Sequence, residues 1–151
     1  MPSRPPSIPS ERKLAERAWA VGDYGTARTL YRHCVDSAAS TIHDGLPTAF
    51  YLAEWARLEG TIQNRPAFEA LFAEAFALEP NAPLLRLSYA RDLWCEFRDT
   101  EACLKEVAAL EELLASTLWD RANDLSPLAY SQKIETLRAW TRGEPGGPLQ
   151  P

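Results

Sequence analysis

Apolar and small residues recur three and four positions apart along most of this chain, and turn-forming residues interrupt them often enough to fold successive helices into hairpins. The clearest case is AERAWAVGDYGTARTLY, Ala15 to Tyr31. Leu14, Ala15 and Ala18 form one apolar run, Gly22-Asp23-Tyr24 breaks it, and Ala27 with Tyr31 restarts it at helical spacing. Gly22 suits the backbone angle that ends a helix, Asp23 suits the cap of the next, and Tyr24 can fold back into the seam.

The same pattern, taken along the chain, predicts seven helices. Residues 1–9 hold four prolines and read as a disordered lead-in, after which Ser10 caps a helix running to about Val21. A second runs from Tyr24 to about Ala39, and STIHDGLP, at 40 to 47, is a loop. The third starts near Thr48, carries Leu52, Trp55 and Ala56 on one face, and ends around Gly60. Pro66 sits in the first turn of the fourth, whose expected buried stripe is Phe68, Leu71, Phe72, Ala75 and Leu78 before Pro80 stops it. A third hairpin follows, PLLRLSYARDLWCEF then EACLKEVAALEELL, its second helix continuing towards Trp119 or Arg121. Ser126 before Pro127 starts a last helix with the stripe Tyr130, Ile134, Leu137 and Trp140, and residues 143–151 read as a disordered tail. The fold class is therefore all-α, with a helical domain over 10–142 that includes a capping helix at 127–142.

Aligning the second helices pairs Ala27 with Phe68 and Ala102, Tyr31 with Phe72 and Glu106, and Cys34 with Ala75 and Ala109. The spacings are 41 and 34 residues, the larger exceeding the smaller by seven, about the length of the STIHDGLP loop. On Leu14, Ala15, Gly22-Asp23-Tyr24, Ala27 and Tyr31, and on the ending Phe72, Ala75, Leu78, Glu79-Pro80-Asn81, the chain resembles the tetratricopeptide repeat family. It departs from that pattern in the third hairpin, which lacks a glycine in its turn, and at Phe68, where the family prefers a small residue. The resemblance implies a right-handed superhelical array of three hairpins plus the capping helix. In size, acidity and added terminal helix the chain is also similar in architecture to small chaperones of bacterial secretion systems.

In such arrays the leading helix of each hairpin lines a concave groove. The resemblance thus places Arg12, Glu16 and Trp19, then Ala53, Arg57 and Gly60, then Leu87, Arg91 and Trp94 on the groove side, with Phe50 and Leu84 extending it. The partner-binding candidates are Trp19, Phe50, Arg57, Leu87, Arg91 and Trp94. Aromatics beside arginines dominate protein interfaces because they bury large rigid area and donate forked hydrogen bonds. The expected function is a protein interaction module, an adaptor or chaperone, taking an acidic and apolar peptide or helix of another protein. A self-associating scaffold that binds a second copy of the chain is the alternative.

Composition narrows the field further. A net charge of -5 and a pI near 5.1 disfavour a nucleic-acid partner, which needs a concentrated basic stripe. No apolar run is long enough to span a membrane, and the proline-rich start does not read as a signal peptide, so a cytoplasmic location is expected. The three cysteines, Cys34, Cys95 and Cys103, lie within helical patterns without metal-ligand spacing. His33, Cys34 and His43 are close in sequence, but adjacent helical residues point to different faces, so neither a metal site nor a thiol nucleophile is expected. No phosphate loop, GxSxG or HExxH occurs, and no cofactor or enzyme activity is expected.

Overall fold

A computed structural model describes residues 8–41 and 45–144. They form α1 (Ile8–Ala20), α2 (Tyr24–Thr41), α3 (Gly45–Thr61), α4 (Arg65–Leu78), α5 (Pro83–Phe97), α6 (Thr100–Ala115), a 3-10 turn at Arg121–Asn123, and α7 (Pro127–Thr141), with no strand among the described residues. The all-α expectation holds. The expected features at residues 1–7, at His43 and at 145–151 lie outside the described residues. The chain divides after Pro80 into two compact units.

In the first unit, α1 to α4 pack on one another in chain order. Helix α1 starts at Ile8, so Ser10 lies inside it rather than capping it. Gly22 (φ 80°) lets the Asp23 N–H donate back to the Ala18 carbonyl at 2.9 Å, while the Asp23 carboxylate accepts from the Thr26 N–H at 3.2 Å. One turn thus ends α1 and starts α2. Gln63 (φ 61°) repeats the device at the end of α3, where the Asn64 N–H donates to the Glu59 carbonyl at 2.8 Å and Asn64 caps α4. Helix α3 begins at Gly45 and not Thr48, because Pro47 falls in a first turn, where its missing N–H has no carbonyl to serve.

The core of this unit gathers Ala15, Ala27, Tyr31 and Leu58, with Trp19, Tyr24 and Trp55 packed around them. Phe68 and Phe72 add an edge-to-face pair at 5.1 Å. Burying each such side chain contributes about 1.5–3 kcal/mol. Leu78, expected in the α4 stripe, is 46% exposed because it is the last residue of the helix.

The second unit packs α6 and α7 against α5 and each other. Arg98 (φ 51°) ends α5, but here the Asp99 N–H reaches back six residues, to the Leu93 carbonyl at 3.1 Å. The corresponding bonds at Asp23 and Asn64 reach back five. That extra residue shifts the register between the two helices of the hairpin. The leading helices keep the 34-residue spacing, with Ala56 and Ala90 both fully buried. In the following helices the spacing becomes 35: Phe68 corresponds to Cys103, Phe72 to Val107 and Ala75 to Leu110, all buried. The pairing with Ala102, Glu106 and Ala109 is therefore displaced by one position.

Helix α6 stops at Ala115 instead of continuing to Trp119. Trp119 Nε1 donates to the Leu114 carbonyl at 3.2 Å, and the Arg121 guanidinium donates to the same carbonyl at 3.1 Å. Side chains from beyond the helix thus satisfy its free acceptors. The buried Trp119 ring then meets Tyr130 of α7 edge-on at 5.8 Å. Ser126 caps α7 as expected, accepting from the Ala129 N–H at 3.1 Å. Tyr130, Ile134 and Leu137 are buried, whereas Trp140 is only half-buried.

Candidate binding cleft

The six positions expected to meet a partner have different surroundings. In the first unit, Trp19 lies edge-on to Tyr31, with ring centroids 6.5 Å apart, and belongs to the hairpin core. Phe50 and Arg57 are half-buried on α3. No carboxylate pairs with Arg57 among the described residues. In the second unit, Leu87 is 5% exposed and forms part of the core of α5, so its expected role as a surface contact does not hold. Arg91 pairs with Asp92 at 3.2 Å, and Asp92 is itself 1% exposed. Trp94 is half-buried and carries the Arg98 guanidinium over its ring at 4.7 Å.

Carboxylates engage Arg12, Arg28 and Arg65 among the described residues of the first unit. Glu11 and Glu59 are both buried: Glu11 faces Nδ1 of His33 at 2.5 Å, and Glu59 accepts from Arg28 Nη2 at 2.8 Å and from Asn64 Nδ2 at 3.2 Å. Arg12 joins α1 to α3 through Glu54 at 2.7 Å, an interaction that pushes its guanidinium pKa further up. These pairs tie helices together and use charge that a ligand would otherwise meet.

The second unit leaves an open space instead. Trp94, Cys95 and Arg98 at the end of α5, with Trp140, Gly143 and Glu144 at the end of α7, line a cleft of 380 Å³. Glu144 binds Arg142 through both carboxylate oxygens at 3.1 Å, which holds its carboxyl below the usual range. Arg98 has no carboxylate partner among the described residues. The cleft therefore offers two indole surfaces and one uncompensated guanidinium. A smaller space between α6 and α7, 210 Å³ and lined by Glu111, Ile134, Glu135 and Arg138, has its cation paired with both carboxylates.

Nucleophilic chemistry finds no support at the thiols. Burial pushes Cys34 and Cys103 up to about 11 and also raises Cys95, so each stays a neutral thiol at pH 7. Among the described residues no group of three or more His, Cys, Asp or Glu side chains is placed to hold a metal ion. No helix there is long and apolar enough to cross a membrane.

Sequence reasoning found Trp94 but missed Arg98 and misplaced Trp140. The available signal was the glycine absent from the third turn: Arg98 takes the left-handed conformation that Gly22 and Gly143 take at the ends of α1 and α7. Comparison with known proteins finds no match among family models, curated proteins or solved structures.

Proposed function

We propose that the chain is a non-catalytic protein interaction module, an adaptor or chaperone-like subunit, that receives an acidic and apolar peptide or helix of another protein. The reading includes tetratricopeptide-type stacking of the hairpins, supported by the repeated left-handed helix end followed by an Asp or Asn cap at 22–23, 63–64 and 98–99. The observation that carries it is the pairing of half-buried Trp94 and Trp140 with Arg98 around one cleft. Tryptophan buries a large rigid area with few rotamers to order, and arginine donates a planar fork of hydrogen bonds.

The test is affinity capture from source-cell lysate with photocrosslinking, followed by identification of the crosslinked segment. The wild-type chain is compared with Arg57→Glu and with Trp94→Ala/Trp140→Ala. Capture of a discrete partner through an acidic, apolar segment, lost in the tryptophan variant at an unchanged melting temperature, supports the reading. Equal capture by wild type and the tryptophan variant contradicts it. Arg91→Glu is a poor probe, because it places a carboxylate beside buried Asp92 and would destabilise the fold.

A second reading, self-association, is favoured by Leu118, between α6 and the 3-10 turn, and Leu128, in the first turn of α7, which are 66% and 67% exposed. Light scattering separates the two: self-association requires a dimer that dissociates on Leu118→Ser/Leu128→Ser.

A further inference from the structure

We propose that the cleft at the ends of α5 and α7 is a subsite for a carboxylate flanked by a large apolar side chain on a partner peptide, with Arg98 as the anion receptor and Trp94 and Trp140 as the apolar walls. This inference rests on the interaction-module reading and names the chemistry that the module selects.

Three observations converge on it. The first is charge. The chain is acidic overall, yet among the described residues the charged groups lining this cleft are Arg98 and a Glu144 already paired with Arg142. A second carboxylate entering there meets a net cation. A guanidinium presents a planar fork that matches a carboxylate with two parallel hydrogen bonds.

The second is backbone conformation. Four helix ends place a residue at positive φ, and two of them use glycine, the residue that tolerates this conformation without steric cost. Arginine has a Cβ that the left-handed region disfavours. Its presence at position 98 opposes stability, which is the pattern expected where a side chain serves something other than the fold. Gln63, the other exception, has a local structural use, since its Nε2 donates to the Gly60 carbonyl at 3.2 Å. The Arg98 side chain lies over Trp94 of the preceding helical turn and also lines the cleft.

The third is size and shape. A volume of 380 Å³ is near the lower end for sites that enclose a ligand. It accommodates a side chain or two of a peptide, not a folded surface. Stacking of the exposed Arg98 on Trp94 favours one orientation of the fork before a ligand arrives, which lowers the ordering cost of binding.

The test is fluorescence anisotropy with the labelled hexapeptide Glu-Glu-Leu-Phe-Asp-Leu. Its arms are the same peptide with a C-terminal amide, the Gln/Asn isostere of its acidic side chains, and an acidic peptide with Leu and Phe replaced by Ser. The expected result is saturable binding that falls at least tenfold when the recognised carboxylate is removed and at least tenfold when the apolar residues are removed. The amide arm tells a terminal carboxylate from a side-chain one. Arg98→Gly should weaken binding at least tenfold while leaving the melting temperature unchanged or higher, and Arg98→Lys should recover only part of the affinity. Absence of binding up to 1 mM peptide, equal binding by Arg98→Gly, or indifference to the apolar residues would overturn the proposal. Self-association that Arg98→Gly dissolves, without peptide binding, would assign the cleft to a second copy and also overturn it. If these peptides fail while lysate capture still depends on Trp94 and Trp140, the subsite chemistry falls and the interaction-module reading stands.

Discussion

Trp19 and Trp94 stand at the same position of the repeat, near the end of a leading helix, yet one is packed in its hairpin core and the other lines a cleft. The reason lies across each hairpin. Trp19 meets the ring of Tyr31, whereas the residue equivalent to Tyr31 in the third hairpin is Val107, buried but with no ring to meet an indole. The arginines do not share this division. In the first unit Arg12 and Arg28 are held by Glu54 and Glu59 while Arg32 lies over Trp55, and in the second Arg91 and Arg138 pair with carboxylates while Arg98 stacks on Trp94. The exposure of a repeat position is thus set by its partner across the hairpin as much as by its own residue type. At this one position the first unit uses its tryptophan for cohesion, and the second leaves it lining a cleft.

This contrast can be broken most forcefully in the core of the first unit. Tyr31→Ala removes the ring that holds Trp19 and should cost about 3–5 kcal/mol, measured by urea unfolding. A cost near zero would mean that Trp19 does not depend on it. Arg28→Ala should cost about 1–2 kcal/mol, less than a fully buried pair because Arg28 is partly exposed, while leaving buried Glu59 with Asn64 alone. A neutral result would show that the pairs are not what stabilises this unit.

Two smaller effects sharpen it. Gln63→Gly should raise stability by up to about 1 kcal/mol by relieving a left-handed backbone, with no effect on peptide binding; Arg98→Gly differs in weakening binding at least tenfold. Alkaline pH acts through the thiols. Cys34 and Cys103 have folded-state values raised by burial to about 11, so their contribution is complete below the unfolded value and is lost as pH rises through the folded one. The loss should be less than about 1 kcal/mol in total at pH 9 and absent at pH 7. It is checked by comparing the pH dependence of stability with that of Cys34→Ala and Cys103→Ala. Cys95, half-buried in the cleft, should react with a thiol reagent before either and be protected by bound peptide.

The elements were readable where turn chemistry is local. Gly22-Asp23, Pro66 and Ser126-Pro127 each carry their own backbone instruction, and α2, α4 and α7 begin where those residues place them. The start of α3 was less legible because a proline two residues into a helix looks like a proline in a loop. The end of α6 was hidden because its caps, Trp119 and Arg121, lie beyond the helix and return to it through side chains. The added residue at the end of α5 was invisible to periodicity, since both helices remain regular on either side of it, and it displaced the repeat alignment by one. The same residue set Arg98 at the helix end beside Trp94. No spacing rule could have brought Trp140 to that cleft, because α7 lies outside the repeat.

The most direct measurement is ¹⁹F NMR of the full chain labelled with 5-fluorotryptophan, its five tryptophans assigned by single Trp→Phe variants and titrated with the acidic hexapeptide. The resonances of Trp94 and Trp140 should move together and saturate while those of Trp19 and Trp55 hold still. Movement of Trp19 or Trp55 with Trp94 and Trp140 unchanged, or no movement at any of the five, would contradict the assignment of binding to the second unit.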